Sequence, residues 1–274
     1  MLSTNALSQG TQAQQVFQLL YFQDLQKDLQ ISKTNLKLYG GLNYPSISIG
    51  ILGTKFRQNI TNDLDRTTDG IWYQYTNIKG LGVHLFDCEG FVSDSLVSDL
   101  EEAYKNNEDK AQERINDGAA KIVYYMVNTC NVILVLVKYD DPIDQMFKIL
   151  GKGQFTSDFI QQLYFVVRGS KDESGRKNFI KKIQKFAGKL QNASDMSNQN
   201  WELKCLFVQE YQSVSQNKDQ NIYCDQVRKA INPWILLQQY GGNQPQQPLI
   251  DKIKLNLSII PQITSFSLQN ISNR

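Results

Sequence analysis

The chain has 274 residues, of which 41% are hydrophobic and 20% charged, and its 29 Lys+Arg against 27 Asp+Glu give a formal net charge of +2. That length is enough to bury a full core and suits one large α/β domain, while so small a net charge, without a dense Lys/Arg run interleaved with aromatics, argues against a nucleic-acid partner. Cys88, Cys130, Cys205 and Cys224 are too scattered for a zinc-ligand spacing or a disulfide framework, so reduced thiols are expected.

Met1-Leu2-Ser3-Thr4 leads into no apolar signal core and no Arg-rich presequence, and Ile271-Ser272-Asn273-Arg274 carries no prenylation signal. The most apolar segment, Ile122 to Val137, is interrupted by Asn128, Thr129 and Asn131 and falls short of the roughly 20 residues that cross a bilayer. The expectation is a cytoplasmic protein with no transmembrane segment.

In chain order, residues 11 to 31 are glutamine-rich, but Val16, Leu19, Leu20, Leu25 and Leu29 recur near helical spacing and predict an amphipathic helix packed on the domain. Asn35 to Tyr39 reads as a first strand, followed by Gly40-Gly41-Leu42-Asn43-Tyr44-Pro45-Ser46. Ser46 to Leu52 alternates apolar and polar residues and is β-branched, which favours a strand. Gly53-Thr54-Lys55-Phe56 follows, then Arg66-Thr67-Thr68-Asp69-Gly70-Ile71-Trp72, then an apolar run that ends in Asp87-Cys88-Glu89-Gly90. His84 is the single histidine and has no nucleophile or carboxylate motif beside it, so packing is its expected role.

Residues 94 to 116 carry many charges, with Leu96, Leu100, Tyr104 and Ile115 facing inward, as in a solvated helix. Asn131 to Tyr139 is a nearly continuous apolar strand, the pattern of a sheet covered on both faces. Lys138-Tyr139-Asp140 ends that inner strand. Leu163 to Gly169 is the next strand, and Arg176 to Leu190 a helix with Phe179, Ile180, Ile183 and Phe186 inward and its lysines outward. Leu203 to Val208 is a further strand, Tyr223 to Leu237 a helical stretch broken near Pro233, and Gly241 to Pro248 a flexible linker. Ile250 to Ile271 reads as a strand pair or a docking tail.

Thr-Thr-x-Gly-Ile-Trp upstream of a hydrophobic strand that ends in Asp-x-x-Gly resembles the GB1/RHD3-type GTPases of the dynamin superfamily, the family of guanylate-binding proteins, atlastins and Sey1/RHD3 fusion proteins. The likeness spans roughly residues 36 to 170, with a looser match to about 240. It implies an α/β fold: a P-loop GTPase-like three-layer α/β/α domain with a mostly parallel sheet. The domain limits expected are 1–34 for the N-terminal helix, 35–240 for the G domain and 241–274 for the linker and docking tail.

By the same resemblance Thr68 meets Mg²⁺ and the γ-phosphate, Gly70 belongs to the switch, Asp87 holds the metal's water shell, Gly90 offers its amide to the γ-phosphate, and Arg168 begins the Arg-Asp pair that reads guanine. Plain packing by Trp72 and Phe86, and turn capping by Thr68 and Asp87, stays open beside it. A working P-loop needs Gly-Lys-Ser/Thr, and two registers compete for its place. In the first, favoured by motif spacing, residues 40–46 form the loop and 46–52 a helix, with Tyr44 and Pro45 near the lysine and hydroxyl positions. In the second, 46–52 is the strand and Gly53 to Ile60 the loop, with Asn59 and Ile60 in those positions. Both lack the lysine and the hydroxyl. Gly169 stands where the guanine-reading aspartate belongs, and leaving base donors unpaired there costs about 1–3 kcal/mol.

These losses predict a pseudo-GTPase with a vestigial site at Thr68, Gly70, Asp87, Gly90 and Arg168, no catalytic residue, no bound metal, and a role as a structural or interaction module. Protein partners, in an assembly or a G-domain-like dimer, are expected. The alternative is a GTP- or GDP-binding protein, or a GTPase, with unconventional contacts. The chain ends before a helical stalk or membrane segment fits, so membrane fusion by this chain alone is not expected.

Overall fold

A computed structural model describes residues 16–22, 29–31, 44–53, 70–78, 80–88, 100–105, 107–140, 143, 162–169, 173–190, 204–208, 232 and 245–260. Its strands are β1 (Val16–Phe22), β2 (Leu29–Ile31), β3 (Ser46–Gly53), β4 (Ile71–Ile78), β5 (Leu81–Cys88), β6 (Val132–Lys138), β7 (Leu163–Arg168) and β8 (Cys205–Val208); its helices are α1 (Glu108–Thr129), α2 (Glu173–Leu190) and α3 (Gln246–Ile259). They build an eight-stranded sheet in the order β2-β1-β4-β5-β3-β6-β7-β8. From β5 to β8 every neighbouring pair is parallel, whereas β4 and the β1-β2 pair add antiparallel strands at one side. This is an α/β, P-loop GTPase-like architecture.

The parallel strands are nearly continuous apolar runs because both of their faces are buried. On one face Leu52, Phe86, Ile133, Val135 and Phe165 pack against Tyr125 and Met126 of α1, Phe179 and Ile183 of α2, and Ile250 and Ile253 of α3. On the other, Ile47, Ile49, Leu81, Val83, Val132 and Leu134 form a second cluster. Gly50 sits where α1 presses closest. A Cβ there would lie 2.2 Å from Met126 Cε and 3.0 Å from Cys130 Sγ.

Asn107 starts α1 by accepting a 3.2 Å hydrogen bond from the Lys110 amide, and Glu108 and Asp109 place negative charge at the helix's positive end. Its C-terminal turn passes into β6 through buried polar contacts. Ser48 Oγ donates toward the Thr129 carbonyl (2.7 Å) or Asn131 Oδ1 (2.8 Å) and accepts from the Asn131 amide (2.9 Å), while Asn131 Oδ1 also accepts from the Ser48 amide (2.9 Å). Asn256 of α3 joins the group by donating to the Asn128 carbonyl (3.0 Å) and to Thr129 Oγ1 (2.9 Å).

Three expectations are corrected. The N-terminal segment is not a helix where it is described: β1 pairs with β4, with a register shift between Gln18 and Leu20, and Leu19 and Leu20 are both buried. An open β4 edge and a run of apolar and aromatic residues outweigh the near-helical spacing. Ser46–Gly53 is a strand rather than a helix after a P-loop, so alternation prevailed over motif interval, as the second register has it for 46–52; the loop of that register, 54–60, lies outside the described residues. Residues 246–259 are helical, so 246–248 are not linker and 250–259 are not the strand of a strand pair, the other reading of 250–271 being a docking tail; Pro248 fits because the first turn of a helix has no intrahelical use for its amide. The expected strand at 35–39 and the helix at 223–237, apart from Asn232, lie outside the described residues.

Candidate functional site at the carboxyl edge of the sheet

In an open parallel sheet the ligand crevice lies beyond the carboxyl ends of the strands, where successive connections diverge to opposite sides. Here that point is β3. It pairs in parallel with β5 on one side and β6 on the other, with Ile51 opposite both Asp87 and Leu134. The chain therefore leaves β3 at Gly53 into the position a phosphate loop would occupy.

Asp87 lies on β5 one residue before the strand ends, opposite Ile51 on β3 and Trp72 on β4. Ile71 pairs with Cys88, so the start of β4 and the end of β5 share this edge of the sheet. Gly70, buried immediately before β4, has φ +67°, a left-handed conformation that glycine adopts without Cβ strain. Its place in the Thr-Thr-x-Gly-Ile-Trp motif thus has a local backbone cause. Thr68 and Gly90 lie outside the described residues, as do residues 54–60.

Arg168 ends β7, opposite Lys138 at the end of β6 and Val208 on β8. Two cations thus stand side by side at neighbouring carboxyl ends, an arrangement the sequence reading did not single out although Lys138 closes an apolar run. The Arg168 carbonyl accepts a 2.8 Å hydrogen bond from the Tyr139 amide, and Gly169 follows with φ +88°. The residue in the aspartate's place therefore has a backbone conformation that an L side chain would strain. Three strand intervals, about 14 Å across the sheet, separate the strand of Asp87 from that of Arg168.

His84 belongs to the core rather than to this edge. It is fully buried, its Nδ1 is 2.9 Å from the Tyr73 hydroxyl, and the Tyr73 and Tyr75 rings lie 5.9 and 5.2 Å away. Nε2 has no hydrogen-bond partner among the described residues. Burial pushes its pKa down to about 3, which keeps the ring neutral and unsuited to proton transfer near neutral pH. Cys88 also faces the core, with Sγ 3.4 Å from Met126 Sδ, and Cys130 Sγ lies 3.7 Å from the same sulfur. Burial pushes the Cys130 thiol well above its ordinary range and the Cys205 thiol up to about 12, so neither is a nucleophile. Among the described residues no group of three or more His, Cys, Asp or Glu is placed to hold a metal ion.

No protein-family model and no curated relative matches the sequence. Among the solved structures that match is the translation elongation factor SelB from Methanococcus maripaludis in complex with the GTP analogue GppNHp, at 12% identity and a TM-score of 0.38 over 73% of this chain and 35% of that one. The chain thus spans about a third of that protein's length. The strand order and parallel core carry the fold assignment. No helix among the described residues is long and apolar enough to cross a membrane.

Proposed function

We propose that this chain is a degenerate G domain, a pseudo-GTPase of GB1/RHD3 type that serves as a structural or protein-interaction module in a larger assembly. The observation that carries the reading is where β3 ends. Its last residue is Gly53, and the sequence that follows, Thr54-Lys55-Phe56-Arg57-Gln58-Asn59-Ile60, has glutamine, asparagine and isoleucine where a phosphate loop has glycine, lysine and a hydroxyl residue. Lys55 stands four positions before the required lysine.

Phosphoryl transfer depends almost wholly on positioning and on neutralising phosphate charge, so losing the lysine and the metal-binding hydroxyl removes the main sources of catalysis. At the opposite side of the crevice, Gly169 offers no carboxylate to guanine. Asp87 and Arg168 remain at the strand ends as remnants of a site. Thr68, Gly70 and Gly90 complete it in sequence. The kept resemblance is the switch motif, while Gly53 of Gly53-Thr54-Lys55-Phe56 ends a strand instead of closing a helix after the P-loop. Protein partners fit a module of this kind better than small-molecule turnover does.

Thermal unfolding with GTP, GDP or ATP, each with and without Mg²⁺, tests the proposal. A ligand at 100 times its Kd stabilises the folded state by about 2.7 kcal/mol, so a real binder shifts the midpoint measurably. The proposal expects no shift. A guanine-specific, Mg²⁺-dependent shift that Thr68→Ala abolishes favours the competing GTP-binding reading and overturns this one.

A further inference from the structure

The charge of this protein is unevenly placed. Helix α2 holds six basic residues against Glu173 alone, a net +5 in a chain whose total is +2, which leaves the rest of the chain at −3. Phe179 and Ile183 bury its inward side against the sheet, where the Phe179 ring meets those of Tyr139 and Phe207. At 100° per residue, Lys177, Lys181, Lys185 and Lys182 fall within an arc of about 140° on the other side.

Lys177, Lys181, Lys182 and Lys185 are exposed. Lys177 is paired with Glu173 at 2.7 Å, whereas Lys181, Lys182 and Lys185 have no ion pair among the described residues. Arg176 lies apart from this face, with its guanidinium 5.6 Å from the Phe207 ring centroid. The exposed residues between the lysines are polar, Asn178 and Gln184. Among the described residues the row therefore has no aromatic platform for stacking bases, no apolar wedge for insertion into acyl chains and no anchor for a protein hot spot. Lysine is also depleted from the dry cores of protein interfaces. What remains is a fixed array of hydrated ammonium groups, matched to a planar layer of negative charge that does not require their desolvation.

We infer that the lysine face of α2 docks on an anionic lipid surface, held by headgroup electrostatics without insertion. The negative remainder of the chain turns this face toward such a surface and the rest away. The inference stands apart from the nucleotide reading, since no residue of the carboxyl edge takes part.

Co-sedimentation of the whole chain with phosphatidylcholine vesicles, with and without phosphatidylserine, tests it. Binding is expected only when phosphatidylserine is present, falling steeply as salt is raised and losing about fivefold for each lysine changed to glutamine at positions 181, 182 and 185. The combined Lys181→Glu, Lys182→Glu and Lys185→Glu variant should keep the wild-type unfolding midpoint and lose vesicle binding entirely. Equal binding to neutral vesicles, failure to bind either vesicle at low salt, or retention by the folded triple variant would overturn the inference. So would tighter capture by polyglutamate or single-stranded nucleic acid than by anionic vesicles.

Discussion

The two halves of β3 have opposite characters. In its first half Ser48, fully buried, exchanges hydrogen bonds with Thr129 and Asn131, and Asn256 of α3 closes the same group from another direction. At its far end Gly53 is followed in sequence by Thr54 to Ile60, with Gln58, Asn59 and Ile60 where a phosphate loop has glycine, lysine and a hydroxyl residue. The contrast teaches that holding strands in order and holding a nucleotide are separable tasks. Sheet order depends on the amino half and the core beneath it, where every polar atom of Ser48 is used. On the proposed reading, the carboxyl edge lost its chemistry while the fold stayed.

The largest expected effect lies in the polar group. Ser48→Val takes the hydroxyl donor from the Thr129 carbonyl in a buried setting, at about 1–3 kcal/mol, while the Asn131 amide keeps the Ser48 carbonyl at 2.9 Å, and denaturant unfolding should show the loss as a lowered midpoint. A loss below about 1 kcal/mol would break the comparison. Acid comes next. Folded His84 resists protonation until about pH 3, whereas the unfolded chain takes up that proton near the ordinary 6.5, so stability falls as pH drops through this window. The slope is about 1.4 kcal/mol per pH unit, and His84→Phe should flatten that part of the profile while leaving the carboxylate part in place.

Gly50→Ala falls at the low end of about 1–3 kcal/mol, because the clashing atom is the mobile end of Met126. Combined with Met126→Ala, the two losses should fail to add, since the shortened side chain vacates the space the new methyl needs. The smallest effect belongs to the edge. Thr68→Ala and Asp87→Asn should leave the unfolding midpoint in GTP and Mg²⁺ equal to that without nucleotide, as in the parent chain.

Elements whose sequence pattern admits one period were legible. Asn131 to Tyr139 is apolar throughout and too short for a spanning helix, and it forms β6; the inward face of Arg176 to Leu190 repeats at helical spacing, and Phe179 and Ile183 are buried in α2. Val16, Leu19 and Leu20 satisfy a helical spacing and a short strand equally, and what decided between them was the open edge of β4, some fifty residues away in sequence. Ser46 to Leu52 announced a strand through alternation, but a family interval pulled the reading elsewhere. Pro245 and Pro248 read as linker, although a proline in the first turn is compatible with α3.

The proposed site residues came from a different kind of signal. Asp87 and Arg168 were singled out through the family resemblance, and the structure places them near the carboxyl ends of β5 and β7, with Ile71 paired to Cys88 at the same edge. Lys138 beside Arg168 was not foreseen, because a parallel neighbour cannot be read from either strand alone. Nor was the Ser48, Asn131 and Asn256 group, whose members lie far apart in sequence and carry no motif. The left-handed conformations of Gly70 and Gly169 give both glycines a local reason that no motif could distinguish from a ligand contact.

Isothermal titration of the purified chain with GTP and Mg²⁺ addresses the central claim most directly. The account predicts no saturable heat beyond dilution, for the parent chain and for Asp87→Asn alike. A saturable heat that requires Mg²⁺, is reproduced by GDP but not ATP, and disappears in Asp87→Asn would contradict it.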